Sequence, residues 1–203
     1  GNSYAGITNT TSLSFTTADI VAPTLSSSSP ADDATAVAVG SNIVLNFSEA
    51  VDVDSGDIVI YKTSDNSVIE TIAVGSGQVT GTGTTQITIN PSSDLASSTE
   101  YYVQIAATGF DDAAGNSYAG ITNTTSLSFT TADIVAPTIS SFSSSTSDGS
   151  YNVGDTINIT ATASESIQSG NTLTVTLDTG DTVLLTAASA GTTLTGTYTV
   201  GAG

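Results

Sequence analysis

Along most of this chain, apolar side chains alternate with polar ones in short runs. Ile43, Leu45 and Phe47 share one side of "NIVLNFS", and Ile58 and Ile60 share one side of "DIVIYK". Ile87 and Ile89 do so in "QITIN", Tyr101, Val103 and Ile105 in "EYYVQIA", and Leu127 and Phe129 in "SLSFTT". A period of two is the signature of a strand with one buried face, and Gly, Pro, Asn, Asp or Ser bound each run. The opposite positions carry Ser, Thr and Asn, as they do when a sheet turns one face to water. No helical period is sustained. Short strands at this spacing predict an all-β fold of antiparallel β-sandwich domains.

The pattern also repeats. Residues 1–24, "GNSYAGITNTTSLSFTTADIVAPT", recur unchanged as residues 115–138, an offset of 114 that suits one sandwich domain. In both copies "VAPT" follows the "SLSFTT" run. Proline holds itself and the preceding residue extended, so this reads as a short, stiff connector. The repeat predicts three pieces. Residues 1–20 are the closing strand of a preceding domain plus a linker. Residues 21–133 are one complete sandwich. Residues 134–203 are a linker and the N-terminal part of a second, different domain, with strands near "TINITATAS", "TLTVTLD", "TVLLTA" and "TLTGTYTV".

Charge narrows the function classes. The chain has 19 acidic residues, one basic residue (Lys62) and no His, for a formal net charge of -18. Without cations it cannot neutralise phosphates, which excludes nucleic acid as a partner. The same shortage excludes a polybasic membrane patch. No run is long and apolar enough to span a bilayer, so no membrane insertion is expected in this segment. Carboxylates in such excess repel one another, and a divalent cation relieves that, which points to calcium. Cys is absent, which removes disulfides and thiolate sites. Ser and Thr abound, but no His and a single Lys leave no evident base for a nucleophile, so no enzyme is expected.

The segments "SSPADDATAVAVGSNIVLNFSEAVD" (28–52), "LASSTEYYVQI" (95–105), "DDAAGNSYAG" (111–120) and "SFTTAD" (128–133) follow one another in a familiar order. Together they resemble the bacterial Ig-like domains of large extracellular adhesins and surface repeat proteins. "DGSYNVGDTINITATASESIQSGNTLTVTLDTG" (148–180) resembles a second Ig-like or cadherin-like type, departing at "ASES", where an aromatic usually precedes Ser-Glu. The resemblance implies a tandem extracellular array at the bacterial cell surface, often rigidified by calcium, and no catalysis.

In an Ig-like topology the loop after the second strand and the loop before the last lie at one end. The first carries Glu49, with Asp52, Asp54 and Asp57 following; the second carries Asp111, Asp112 and Asn116. The incoming linker brings Asp19 to the same pole. Calcium takes six to eight oxygen ligands, which a linker carboxylate and two loops can supply. The same logic places Asp133 with Glu165 at the following junction. Asp, Asn and Gly are equally ordinary turn formers. "DVDSGD" imitates the start of an EF-hand loop, but no helices flank it. Asp32 and Asp33 after Pro30, and Asp178 and Asp181 in "LDTGDT", read as turns, and Tyr101 as a tyrosine packed at a sandwich corner.

The leading expectation is therefore a spacer or stalk segment of an adhesin, with calcium stiffening junctions between neighbouring Ig-like domains. One alternative is a head-to-tail filament, a homopolymer in which residues 1–19 complete the sheet of an adjacent chain by strand donation. Another is an adhesin module whose loops grip a sugar or protein.

Overall fold

The computed structural model describes residues 6, 7, 10, 11 and 13–202. The rest of the expected N-terminal strand, at residues 1–5, 8, 9 and 12, lies outside the described residues. The chain forms two compact units, Gly1–Ile134 and Val135–Gly203.

In the first unit, β1 (Leu25–Ser29), β3 (Ile43–Val53), β7 (Thr84–Ile89) and β6 (Val79–Thr80) form one sheet in the order β1-β3-β7-β6. The two-residue β9 (Phe110–Asp111) pairs with the far end of β3. The facing sheet has the order β2-β10-β8-β4-β5. Its strands are β2 (Ala34–Val37), β10 (Ser128–Thr131), β8 (Glu100–Ile105), β4 (Asp57–Lys62) and β5 (Ser67–Ala73). All pairings are antiparallel except β2 with β10, which run parallel.

The alternating residues meet between the sheets. Ile43, Leu45 and Phe47 of β3, Ile58 and Ile60 of β4, Ile87 and Ile89 of β7, Tyr101, Val103 and Ile105 of β8, and Leu127 and Phe129 beside β2 are all buried in one core. Each strand packs one face and leaves Ser, Thr or charged residues on the other, the arrangement that makes a sandwich from period-two sequences. The Tyr101 hydroxyl accepts the Ala96 amide at 2.9 Å. This pins the turn five residues upstream of the ring, which is the tyrosine corner expected from the sequence. Asp32 and Asp33 form the turn after Pro30, and their carboxylates accept the Ser128 hydroxyl at 3.0 Å.

The second unit is one five-stranded sheet, ordered β11-β12-β15-β14-β13. Its strands are β11 (Ile139–Ser143), β12 (Thr156–Ile167), β13 (Thr172–Thr176), β14 (Thr182–Thr186) and β15 (Gly191–Thr199). The path β11-β12-β15 repeats that of β1-β3-β7. Ala161, Val183, Leu185, Ala187 and Leu194 form its buried cluster, Ala163 is buried as well, and no second sheet covers them among the described residues. The β13–β14 hairpin turns through "LDTGD", with the Leu177 amide donating to the Asp181 carbonyl at 2.8 Å.

Candidate metal centre

β3 carries its inward alternation past the end of the sheet. Phe47 and Val51 are buried, and Glu49 between them is half-buried, so the carboxylate occupies a core-facing position at the pole of the sandwich. The ladder explains why a carboxylate is tolerated there. β3 advances from Asn46 to Val51 while β7 moves only from Gln86 to Thr84, so β3 bulges away from its partner around Glu49. On the other side, Ser48 holds the incoming chain. Its Oγ accepts the Thr24 amide at 3.0 Å, and its own amide donates to the Thr24 carbonyl at 2.9 Å.

The second element is the tight loop after β9. Asp112 is 5% exposed. Its Oδ1 accepts the amides of Ala114 and Asn116, each at 2.8 Å, and its Oδ2 accepts Asn116 Nδ2 at 2.7 Å. An aspartate that bonds the backbone two residues on is the usual nucleus of such a turn. The Asn116 side chain, then the Asn116 amide, hold the Asp112 carboxyl below its ordinary pKa, against the opposing push of burial.

The linker is the third element. Asn116 Nδ2 also points at the carbonyls of Asp19 and Val21, at 3.3 and 3.4 Å. Asp19 is exposed, and its Oδ1 caps its own turn by accepting the Val21 amide at 3.0 Å. Carboxylate oxygens of Asp19, Glu49 and Asp112 thereby lie within 4.8 Å of one another. An aromatic floor supports them. Phe47 meets Phe110 at 5.4 Å and the edge of Tyr118 at 5.2 Å. Phe47 precedes Glu49 by two residues, Phe110 precedes Asp112 by two, and Tyr118 follows Asn116 by two, so the strand period that buries each ring also brings each polar group to the pole. Burial pushes the Tyr118 phenol above its ordinary pKa. Sequence reasoning did not single out this floor, nor Ser48; the spacing of two from each acidic residue was the available signal.

The other acidic candidates are not members of this group of three. Asp52 and Asp111 sit opposite each other on β3 and β9, one step out of phase with the inward Val53 and Phe110. Asp52 Oδ1 accepts the Thr82 hydroxyl at 3.0 Å, and Asp111 Oδ1 is buried with no hydrogen-bond donor. Asp54 is exposed and accepts the Ser55 hydroxyl at 3.2 Å. Asp133 Oδ1 accepts the Ser97 hydroxyl at 3.2 Å in the first unit. Glu165 is half-buried on β12 of the second unit, directly after Ser164. There Ser164 Oγ accepts the Thr138 amide at 3.0 Å and the Ser164 amide donates to the Thr138 carbonyl at 2.8 Å. This is the Thr24–Ser48 seam over again, so Glu165 holds the position in the second unit that Glu49 holds in the first.

Three carboxylates converging with no basic residue to balance them repel one another. Lys62 is the chain's single cation, and it lies on β4. An all-oxygen set flanked by linker carbonyls fits a hard divalent cation better than a transition metal.

Two facing sheets in this order, closed by a tyrosine corner and by the parallel contact of β2 with β10, define an immunoglobulin-like sandwich. The chain belongs to the bacterial Ig-like domain family, whose model matches residues 19–131. Among solved structures, the S-layer protein rSbsC(31-844) is similar at a TM-score of 0.37 and 14% identity, over 81% of this chain. The matched region is 32% of that protein's length. No curated protein matches the chain.

Proposed function

We propose that this chain is a non-catalytic spacer segment of an extracellular bacterial surface protein, in which calcium fastens the linker to the pole of the following Ig-like domain. The observation that carries this reading is the convergence of Asp19 from the linker with Glu49 and Asp112 of the domain. A cation held by all three ties the connector to the sandwich and removes freedom at the hinge. Asn116 supports it by binding both the Asp112 carboxylate and the linker carbonyls. Glu165 is the counterpart of Glu49 within the second unit, since the Thr–Ser seam recurs there. Family membership supports a structural module, and the lack of His and Cys accords with a role other than catalysis.

Thermal melting with calcium and with chelator tests this. Calcium at a hundredfold excess over its dissociation constant stabilises by about 2.7 kcal/mol, which raises Tm by roughly 10 °C for a domain of this size. Glu49→Gln should retain the fold in chelator and lose most of that rise. An unchanged wild-type Tm between the two conditions overturns the calcium reading.

A further inference from the structure

Of the aspartates in this chain, only Asp148 is followed by glycine, in "TSDGS". The pair lies in the loop between β11 and β12, where residues 147–150 are all exposed. Among the described residues, neither the Asp148 carboxylate nor the Gly149 amide has a hydrogen-bond partner. A Cβ on Gly149 would meet nothing within 4 Å, so nothing crowds the glycine from that side. Each condition favours attack of a backbone amide on the side chain before it, and the structure unites them at this position.

The aspartates followed by the next least hindered residues are Asp54 and Asp65, and both are clamped. After Asp54, the Ser55 amide is committed to the Thr108 carbonyl at 2.9 Å, and the Asp54 carboxylate accepts the Ser55 hydroxyl at 3.2 Å. Asp65 Oδ1 accepts both the amide and the hydroxyl of Ser67, at 3.0 and 2.6 Å. After Asp178, the branched Thr179 hinders its own amide.

We propose that Asp148–Gly149 is a site of spontaneous covalent modification, at which the folded chain converts aspartate into isoaspartate. The Gly149 nitrogen attacks Asp148 Cγ. A C–N bond forms, and a carboxylate oxygen leaves as water, taking the amide proton and one proton from solvent. The product is a five-membered succinimide. Water then opens the ring and returns both protons. Addition at Cγ restores aspartate. Addition at the Asp148 backbone carbonyl carbon breaks its bond to nitrogen and leaves Gly149 joined through Cγ. No oxidant, reductant or enzyme takes part, and the net charge is unchanged. Glycine suits the ring closure because it reaches backbone angles that other residues avoid. The main chain gains one methylene at this point. The sheet is insulated from it by anchors on either side: Thr146 Oγ1 accepts the Asn158 amide at 2.9 Å, and the Asp155 carboxylate accepts the Asn152 amide at 2.7 Å. The bond from the Tyr151 hydroxyl to the Ser147 carbonyl spans the altered linkage and is the contact it disturbs.

The test ages the full chain for weeks at neutral pH and body temperature. Its peptides are then mapped with electron-transfer fragmentation, which distinguishes isoaspartate from aspartate. The peptide holding Asp148 should split into two forms of equal mass, with a minor third form lighter by one water. An endoproteinase that cuts before aspartate should lose its cleavage at Asp148 as isoaspartate builds up, while its other cuts persist. Gly149→Ala, which leaves the loop uncrowded, should slow the conversion about tenfold by narrowing the backbone angles. In urea, isoaspartate at Asp54 and Asp65 should rise because their clamps are gone, while the rate at Asp148 stays nearly the same. Absence of isoaspartate at Asp148 after ageing, an undiminished rate in Gly149→Ala, or a marked acceleration at Asp148 in urea overturns the proposal.

Discussion

At Glu70, burial and hydrogen bonding act in opposite directions. Desolvation pushes its carboxyl up. Gln78 Nε2 at 2.8 Å and the Ser92 amide, at 3.2 and 3.1 Å to its two oxygens, outweigh that and hold the pKa below the usual carboxylate value. A folded pKa below the unfolded one adds stability that is complete above the unfolded value, near 4.3, and fades as pH falls through the folded one. Glu70→Gln should therefore be less stable than wild type at pH 6. Its disadvantage should shrink as pH falls below about 4, read from Tm against pH. Asp65, lowered by its bonds from the Ser67 hydroxyl and amide, contributes acid sensitivity that this variant retains. Legibility at this scale was uneven. Tyr101 and the turn at Asp32 and Asp33 follow from spacing and turn chemistry. Among Glu49, Asp52 and Asp54, and between Asp111 and Asp112, the sequence offers no choice. The phase of each strand at the pole decides it, and that phase depends on a bulge between Asn46 and Val51 that no run of letters marks.

The alternations of β3, β4, β7, β8 and β10 were legible and became strands, whereas the described residues of the first "SLSFTT" run did not. β1, β2, β5, β6, β9 and β11 were not read from the sequence; the two- and four-residue strands among them are held by their neighbours rather than by a pattern of their own. The "SLSFTT" run shows the limit of local reading, because the same letters make a core strand only where β2 and β8 flank them. Tight approaches between β6 and β7 set another constraint. Gly81 has φ +102, and a Cβ there would lie 2.1 Å from the Gln86 carbonyl oxygen. Relief would require moving backbone, so Gly81→Ala should destabilise by about 2 kcal/mol or more. The same change at Gly149, where a Cβ meets nothing within 4 Å, should be nearly silent. Urea melts of the two variants separate these outcomes.

Across the whole molecule, a net charge of -18 on 203 residues opposes compaction. Screening length falls from roughly 30 Å at 0.01 M salt to about 3 Å at 1 M, so sodium chloride should raise Tm in chelator by a few degrees. Calcium at matched ionic strength should raise it further, because screening is then equal and only binding at the poles remains; calorimetry in calcium against sodium chloride of the same ionic strength checks this. The Ig-like fold was visible in the sequence through the order of its motifs; the 24-residue repeat divides the chain into three pieces, whereas its contacts form two compact units. The pairing of carboxylates was visible only as far as topology could place loops at one end. One feature of that topology matters once the ends of the domain are pulled. The chain enters the second sheet through β2 and leaves it through β10, and the two strands run parallel as neighbours. Tension between linkers therefore drags them past each other in shear, loading their rungs together. An antiparallel seam gripped at one end would instead unzip a bond at a time. This short parallel seam, reinforced by the Ser128 bonds to Asp32 and Asp33, makes the domain a lock under tension.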